Sequence, residues 1–265
     1  MISAAEESRL GALDRVLDNQ APNSTLAGEL FAVVDAIAGQ PTLRRTLTDP
    51  GLPGAQRKAV ARRLFAGKIS ETAVRVVEEG TALRWAGGRA LATAIERQGV
   101  RAELRAAQQN GQLDRVEEEL FRFERTVAGN SGLSEALRDR SVDLAARAGL
   151  VSRLLDGKAH EATVVLARRA VAARGGTFGD TIEDYLTRAA ELRQRGLATV
   201  RVARPLTDEQ HARLRSALSR QVGREVAMHV IVDPAVIGGV QIELGDEVIE
   251  GTVAGRLTTA EREIQ

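Results

Sequence analysis

The feature that most constrains the fold of this chain is an internal duplication at an offset of 90 residues. The run Glu29-Leu30-Phe31 recurs as Glu119-Leu120-Phe121. Without a gap, the same offset matches Ala38-Gly39 with Ala128-Gly129, Leu43 with Leu133, Arg57 with Arg147, Arg63-Leu64 with Arg153-Leu154 and Gly67-Lys68 with Gly157-Lys158. Because self-similarity at a fixed period marks a repeated structural unit, the first two-thirds of the chain is predicted to be one fold that occurs twice.

Within each copy, apolar residues recur at helical spacing, and turn-forming residues separate the helical stretches. In the first copy these apolar positions include Leu10, Leu13, Leu17, Leu26, Leu30, Val33, Ile37, Leu47, Val60, Leu64, Val74, Val77, Leu91 and Ile95. The breaks are predicted at Gly39, Asp49-Pro50-Gly51, Gly67 and Gly87-Gly88. The pattern predicts two tandem six-helix bundles, one over residues 1–98 and one over 99–195.

The segment between the two copies contains no linker. Gly99 is the sole breaker between Gly88 and Gln109, so the last helix of the first copy is expected to continue into the first helix of the second. Such a rod of roughly 20 residues measures about 30 Å and would join two separate cores rigidly. If both copies are the same bundle, the equivalent residues Leu64 and Leu154 are expected to be buried.

After Gly196 the period changes from 3.6 to 2, which indicates strands. Alternating apolar residues predict three strands, at Val200 and Val202, then at Val226, Met228, Val230 and Val232, then at Val240, Ile242 and Leu244. Gly245-Asp246 is a hairpin signal before a fourth stretch, Glu247-Val248-Ile249-Glu250.

Two helices accompany these strands. Thr207-Asp208-Glu209-Gln210 has the form of a capping box at the start of one helix, and Val253, Leu257 and Ile264 mark one side of a terminal helix. The fold class is therefore predicted to be predominantly α with a C-terminal α+β domain over residues 196–265, which holds a small mixed sheet and two helices.

Charge is balanced along the chain. Lys and Arg outnumber Asp and Glu by 13 to 11 over residues 1–98 and by 16 to 15 over 99–195, and are outnumbered by 8 to 10 over 196–265. Of the 37 basic residues, 34 are Arg, often near Asp or Glu at helical spacing, which indicates ion-paired helix faces. The Arg content keeps open the alternative of a nucleic-acid-binding or regulatory helical repeat, although a nucleic-acid interface requires a patch of one sign.

Residues for catalysis are not arranged in any recognisable pattern, so an enzyme is not predicted. His160, His211 and His229 lie in different predicted elements without a second ligand at metal spacing, and the chain has no Cys. Gly87-Gly88 and Gly175-Gly176 lack the strand and the Lys-Ser/Thr of a phosphate loop. We expect no metal, no cofactor, no leader peptide and no membrane span, and therefore a cytoplasmic protein.

The C-terminal residues carry a longer signature. It consists of Asp233-Pro234-Ala235-Val236-Ile237-Gly238-Gly239-Val240-Gln241-Ile242, Gly245-Asp246, Glu250-Gly251-Thr252-Val253 and Gly255-Arg256-Leu257, preceded by Pro205-Leu206-Thr207. This signature resembles the delta subunit of bacterial F-type ATP synthase, which is similar to the mitochondrial oligomycin-sensitivity-conferring protein. The resemblance extends back through residues 100–195 as the helical domain of that family.

The signature residues are expected to be architectural. They are Asp233, Gly238, Gly239, Gly245, Asp246, Gly251, Gly255 and Arg256. Gly238 and Gly239 lack a Cβ, which permits a bulge or a close backbone approach where a strand begins, and Gly251 permits a turn from strand to helix.

The resemblance implies a non-catalytic stator subunit on the cytoplasmic face of the cell membrane. In the family, the helical domain holds the N-terminal helices of the alpha subunits, and the C-terminal domain binds the C-terminal end of subunit b, so that the catalytic head does not rotate. Partner sites are expected on apolar stripes that receive amphipathic helices. The extra helical copy resembles the duplicated form that is fused to a b-type subunit, but here a separate b subunit would supply the membrane anchor.

Overall fold

The computed structural model describes residues 3–20, 23–172, 176–195, 197–222, 226–233, 236, 239–244 and 247–252. Over these ranges the chain forms twelve helices and, near the C-terminus, a small mixed sheet of four strands. This confirms the predicted fold class, mostly helical with a small mixed sheet. The chain divides into two compact units, Met1–Leu186 and Thr187–Gln265.

Five helices precede the junction of the two copies. They are α1 (Ala4–Asp18), α2 (Ser24–Gly39), α3 (Pro41–Leu47), α4 (Gly54–Phe65) and α5 (Glu71–Ala82). Side-chain oxygens of Ser3, Asn23 and Ser70 accept backbone amides at the starts of α1, α2 and α5, and Pro41 opens α3. These caps explain why the helices begin at these residues.

The junction is a single helix, α6 (Gly88–Gln109), as the lack of a linker predicts. It is followed by α7 (Leu113–Ala128), α8 (Ser131–Arg138), α9 (Leu144–Leu155), α10 (Glu161–Val171) and α11 (Phe178–Arg195). The helix bounds repeat at the offset of 90 residues, and α4 and α9 correspond residue for residue. The glycines after these two helices, Gly67 and Gly157, also share a left-handed φ, +76° and +63°, which favours glycine at both positions.

Helix α6 belongs to both copies at once. Shifted by 90 residues, α1 falls on 94–108 and α11 falls on 88–105, and both ranges lie within α6. Its buried residues point in all directions, as expected for a helix with neighbours on every side. The predicted boundary between residues 98 and 99 lies inside this helix, and both copies belong to the first compact unit as far as Leu186.

The prediction that Leu64 and Leu154 are buried is wrong. Leu64 is half-buried and Leu154 is 36% exposed, whereas the next residues, Phe65 and Leu155, are buried. Adjacent positions on a helix lie about 100° apart, so the inward face of α4 and α9 is one residue further along. The same positions, offset by 90 residues, turn inward in both copies.

The second compact unit contains the sheet, whose strands are β1 (Leu197–Val202), β2 (Ala227–Val232), β3 (Gly239–Leu244) and β4 (Glu247–Thr252). The strand order is β2-β1-β3-β4, with β1 parallel to β2 and antiparallel to β3. Strands β3 and β4 pair antiparallel with Leu244 opposite Glu247, as the predicted hairpin requires. Gly245 and Asp246, like the predicted terminal helix, lie outside the described residues.

Helix α12 (Asp208–Val222) connects the two parallel strands. The predicted capping box is confirmed, because the Gln210 amide donates to the Thr207 hydroxyl at 3.2 Å and the Thr207 amide donates to the Gln210 side chain at 3.0 Å. The core of this unit consists of Ala198, Val200, Val202, Leu218, Val226 and Ile242. The alternation of apolar residues along the strands therefore selects the buried face of the sheet.

Candidate docking surface

A glutamate on the second helix of each copy caps the N-terminus of the fifth helix. Glu29 accepts from the amide and the hydroxyl of Ser70, at 2.8 and 2.5 Å. Glu119 accepts from the His160 amide and the Thr163 hydroxyl, both at 2.7 Å. Burial raises the pKa of the Glu119 carboxyl, but hydrogen bonds from Thr163 and His160 outweigh it, so the pKa lies below its ordinary value. The two copies are thus assembled by the same contact.

The phenylalanine two positions after this glutamate is covered in the first copy. Phe31 is 7% exposed, and its ring lies against α6 at Gly99, where an added Cβ would stand 2.6 Å from Phe31 Cε1. The guanidinium of Arg169, on α10, covers the ring at 4.9 Å from its centroid. Helix α2 is therefore held between the shared helix and a helix of the second copy.

Arg169 also forms two ion pairs that cross between the copies. Its Nη1 lies 2.9 Å from Asp35 Oδ1, and its Nε lies 2.8 Å from Glu96 Oε1. The side chain is 7% exposed. Burial lowers the pKa of the guanidinium, but Glu96 and Asp35 raise it by more. Arg169 therefore keeps its charge and joins α10 to α2 and α6.

The equivalent phenylalanine in the second copy is uncovered. Phe121, on α7, is 53% exposed, the largest exposed fraction among the exposed large apolar side chains of the described residues. The two carboxylates that pair with Arg169 in the first copy have no acidic counterparts in the second. Arg125 stands at the position equivalent to Asp35, and Leu186 stands at the position equivalent to Glu96. Comparison of the two copies at the offset of 90 residues reveals this charge reversal from sequence, but the exposure of the ring does not follow from the shared motif.

Three further exposed apolar residues, Val142, Leu144 and Leu154, lie in the second copy. Leu144 replaces Gly54, where an added Cβ would stand 2.6 Å from the carbonyl oxygen of Ala82. In the first copy, the start of α4 packs closely against the end of α5 because Gly54 has no side chain. The side chain of Leu144 sterically prevents the same close packing in the second copy.

Two arginines at equivalent positions, Arg57 and Arg147, differ in burial and in their hydrogen-bond partners. Arg57 is buried and donates to the carbonyls of Thr81, Ala82 and Leu83 at the end of α5. Arg147 is half-buried and donates to the carbonyls of Val142 and Leu137; the first of these bonds has a counterpart in the bond from Arg57 to the Leu52 carbonyl. The first copy is closed at this end by a helix cap that the described residues of the second copy do not form.

A network of ion pairs fastens α1 to α6. Asp14 accepts from Arg97 at 2.6 Å and from Gln98 at 2.8 Å, and Arg101 pairs with Asp18 at 3.0 Å. Burial raises the pKa of the Asp14 carboxyl, but the hydrogen bond from Arg97 and the charge of Arg101 outweigh it, so the pKa lies below its ordinary value. This network makes the first copy continuous with the junction helix.

The second copy instead contains a buried carboxyl without an ion pair among the described residues. Glu103, on α6, is 4% exposed and corresponds to Leu13 in the first copy. Burial raises the pKa of Glu103 to about 7, and the charge of Glu161 contributes in the same direction. The carboxyl is therefore partly protonated near neutral pH.

The structure describes three of the signature residues. The Asp233 amide donates to the Val202 carbonyl at 2.9 Å, so it ties the end of β2 to the end of β1. Gly239 opens β3 with φ +85°, a conformation that favours glycine, and Gly251 lies within β4 opposite Val240 rather than in a turn after the strand. The remaining signature residues, Gly238, Gly245, Asp246, Gly255 and Arg256, lie outside the described residues.

The histidines have no common site. The His160 ring accepts the Ala162 amide at 3.2 Å as the cap of α10, His211 lies in α12, and His229 lies in β2 opposite Thr199. Within the described part of the chain, no group of three or more His, Cys, Asp or Glu residues is placed to hold a metal ion. Among the described helices, none has both the length and the apolar character of a membrane span.

These features define a class of protein, a scaffold of two packed copies of one helical repeat with an exposed apolar face and a separate α+β unit. A family model described as the ATP synthase delta (OSCP) subunit matches residues 95–264, which cover the second copy and the sheet. The chain belongs to this family, whose members are structural and not catalytic subunits of the peripheral stalk of F-type ATP synthase, a membrane-bound complex.

Curated relatives resemble the chain over nearly its whole length, the first copy included. ATP synthase subunit delta of Kineococcus radiotolerans is 41% identical over 264 residues, which are 97% of this chain and 96% of that protein. The protein of the same name from Streptomyces coelicolor is 40% identical and covers 98% of this chain and 95% of its own length. The one from Parafrankia sp. is 45% identical, with 89% and 85% covered.

Proposed function

We propose that this chain clamps the N-terminal helices of the alpha subunits to the C-terminal region of a separate b subunit, on the cytoplasmic face of the cell membrane. The two helical copies, residues 1–98 and 99–195, each act as a six-helix bundle and bind the head. The α+β domain, residues 196–265, binds the stalk. In this arrangement the chain prevents the head from rotating with the central shaft.

The observation that carries this proposal is the sharing of α6 between the two copies. A stator must transmit torque without bending, and a continuous helix buried among its neighbours has no flexible linker at which to bend. The ion pairs of Arg169 add a second connection between the copies, away from the helix itself. Both features favour a rigid scaffold.

The alternative of a nucleic-acid-binding repeat gains no support from the arginines. Arg97, Arg101 and Arg169 are committed to carboxylates within the protein. Arg62 likewise pairs with Glu71 and Glu78, at 2.6 and 2.5 Å. A guanidinium that is paired internally does not contribute to a one-signed phosphate-binding surface.

The test is to measure binding of the full chain to a soluble b fragment and to a peptide of the alpha-subunit N-terminus. Val200→Asp places a charge in the sheet core and should abolish binding of b while the alpha peptide still binds. Leu120→Asp, in the buried face of α7, is the matched variant and should have the reverse effect. If both variants lost the same partner, the proposed division of labour between the domains would be wrong.

A further inference from the structure

The start of α10 differs from the start of α5, its counterpart in the first copy, in the charges that surround it. We propose that Glu103 and Glu161 form a proton-sensitive latch in the second copy. In this latch, the start of α10 stays packed on α6 while the Glu103 carboxyl is neutral and moves away from α6 when that carboxyl ionises. The inference concerns the conformation of the second copy and does not depend on the identity of any partner.

In the first copy, the positions equivalent to this carboxyl pair are apolar or ion-paired. Glu103 occupies the position of Leu13, whose side chain is fully buried. Glu161 occupies the position of Glu71, whose carboxylate pairs with Arg62 at 2.6 Å. The start of α5 therefore has no unpaired carboxyl at these two positions.

In the second copy, one substitution adds a buried carboxyl and another removes the cation. Ser152 stands at the position of Arg62, and Glu161 forms no ion pair with the described residues. Glu103 is 4% exposed, and no described residue donates a hydrogen bond to its carboxyl. Burial, and then the charge of Glu161, raise the pKa of Glu103 to about 7. A proton on Glu103 thus takes the place of the cation that the first copy supplies.

Helix α10 is anchored at its opposite end. Arg169, near the C-terminal end of this helix, pairs with Asp35 of α2 at 2.9 Å and with Glu96 of α6 at 2.8 Å. An ionised Glu103 regains water only if the neighbouring part of α10 moves away, because an unpaired charge is strongly disfavoured in the interior. The structure therefore confines the movement to the start of α10.

The other charged groups around α6 are engaged elsewhere. This helix packs on α1, α2, α3, α5, α7 and α10, and within the described residues Glu161 is the charged group that acts on the Glu103 carboxyl. The remaining carboxylates of these helices include Asp14 and Asp18 with Arg97 and Arg101, Asp35 with Arg169, Glu71 and Glu78 with Arg62, Glu79 with Lys58, and Glu119 with the His160 amide and the Thr163 hydroxyl. On α3, Arg44 donates to the Ala38 carbonyl and Arg45 is exposed.

Two other titratable groups at the start of α10 act with the opposite sign. The His160 ring accepts the Ala162 amide, so protonation of the ring removes this cap as the pH falls. The pKa of Glu119 lies below its ordinary value, so this carboxylate also loses its charge only under acidic conditions. Both groups loosen the start of α10 at low pH, whereas the proposed latch loosens it as the pH rises.

Hydrogen exchange of the full chain tests the latch. Mass spectrometry at pH 5.5 and 7.5, corrected for the intrinsic exchange rates, gives the equilibrium constant for opening of each segment. For residues 163–167 this constant should rise about tenfold or more between the two pH values, because the open form binds the proton of Glu103 less tightly. The equivalent residues 73–77 of α5, and residues 168–172 at the end of α10, should change by about twofold or less.

Four variants assign the rise to this carboxyl pair. Glu103→Leu installs the residue of the first copy, Glu103→Gln keeps a neutral side chain of similar shape, and both should abolish the rise. Glu161→Gln should reduce the rise without abolishing it, because burial is the larger cause of the raised pKa. His160→Ser installs the cap that Ser70 provides in the first copy and should leave the rise intact.

Three outcomes would overturn the latch. No rise in the wild-type chain would show that α10 stays closed over an ionised Glu103. A rise that persists in the folded Glu103 variants would assign the opening to another group. An equal rise at the start of α5 or at the end of α10 would show global rather than local opening. If the Glu103 variants failed to fold, an undiminished rise in Glu161→Gln would still contradict the proposal.

Discussion

The two helical copies share a motif and helix bounds, yet they differ in what their surfaces contact. In the first copy, Phe31 is enclosed by α6 and Arg169, and α5 is capped by Arg57. In the second copy, Phe121 and Leu144 are exposed. The difference teaches that a duplicated fold does not imply duplicated surfaces, because a helix of the second copy covers Phe31 whereas the equivalent Phe121 is exposed.

The interior of the two copies also differs in its charges. Asp14 in the first copy is neutralised by Arg97 and Arg101, and the position equivalent to Asp14 in α6 is Leu104. Glu103 in the second copy is buried next to Glu161 and has no basic partner among the described residues. The first copy is thus stabilised by its buried carboxylate, whereas the second is destabilised when its own carboxyl ionises.

The largest expected effect separates the two phenylalanines. Phe31→Ala should lower the free energy of unfolding by about 3–5 kcal/mol, because it removes a buried ring and leaves a cavity. Phe121→Ala should change it by about 0.5 kcal/mol or less, because that ring is already exposed. Urea unfolding followed by fluorescence of Trp85, the only tryptophan, measures both. Equal losses in the two variants would show that Phe121 is covered in solution.

The next effect concerns the connection between the copies. Arg169→Met should cost about 2–3 kcal/mol, because it removes the ion pairs of Arg169 with Asp35 and with the less exposed Glu96, and Phe31 loses its covering cation. Arg122→Met removes the exposed pair with Glu118 and should cost about 0.5 kcal/mol or less. Chemical denaturation of both variants gives the comparison. If Arg169→Met were as mild as its control, the copies would be joined by α6 alone.

The third effect is a difference in pH dependence. The folded pKa of Glu103 is raised to about 7 from 4.5, so the native state binds the proton more tightly than the unfolded state. The contribution of Glu103 to the free energy of unfolding should therefore be fully present below pH 4.5. It should fall by about 1–3 kcal/mol as the pH rises to 7, because the buried carboxyl ionises. Glu103→Gln should remove this slope, as measured by melting temperatures between pH 5 and 8.

Asp14 provides the control of opposite sign. The folded pKa of Asp14 lies below 3.8, so its contribution is present above that pH and is lost as pH falls through the folded value. Asp14→Asn should lower stability at neutral pH and should leave the slope between pH 5 and 8 intact. A slope that survives Glu103→Gln would indicate that another group titrates in that range.

The smallest effect tests the position of the inward helix face. Leu64→Ala and Leu154→Ala should each cost about 1 kcal/mol or less, because both side chains already contact solvent. Their neighbours Phe65 and Leu155 are buried, and truncation to Ala should cost about 2–5 kcal/mol. Thermal unfolding of the four variants ranks them. If Leu154→Ala lowered the free energy of unfolding as much as Leu155→Ala, the orientation of α9 described above would be wrong.

Much of the fold could be predicted from the sequence, because the patterns that determine its helices and strands involve residues that are close together in the chain. The repeat at 90 residues, the helix breaks, the capping box at Thr207 and the alternation along the strands all involve neighbours in the chain. The inward residue of α9 was not predictable in this way, since Leu154 and Leu155 are equally apolar and differ only in direction. The strand order β2-β1-β3-β4 also depends on pairing between distant segments.

The docking face was less predictable than the fold. The motif Glu-Leu-Phe has the same letters in both copies. Phe31 is buried because it lies against α6 at Gly99 and beneath Arg169, and these residues are 68 and 138 positions away from it. The sequence does contain the exchange of Asp35 for Arg125, but only as one substitution among many between the copies. Its meaning depends on knowing which residue pairs with Asp35.

The number of residues in α6 sets the rotational phase between the two copies. Each residue of a helix turns the chain by about 100° and advances it by about 1.5 Å, so one deletion in α6 would rotate the helices of the second copy by more than a quarter turn relative to the first. Such a rotation would move Arg169 away from Asp35 and Glu96. A loop can accommodate an inserted or deleted residue by local rearrangement, whereas a continuous helix converts the change into a rotation of the second copy relative to the first. The length of α6 therefore fixes the relative orientation of the two copies.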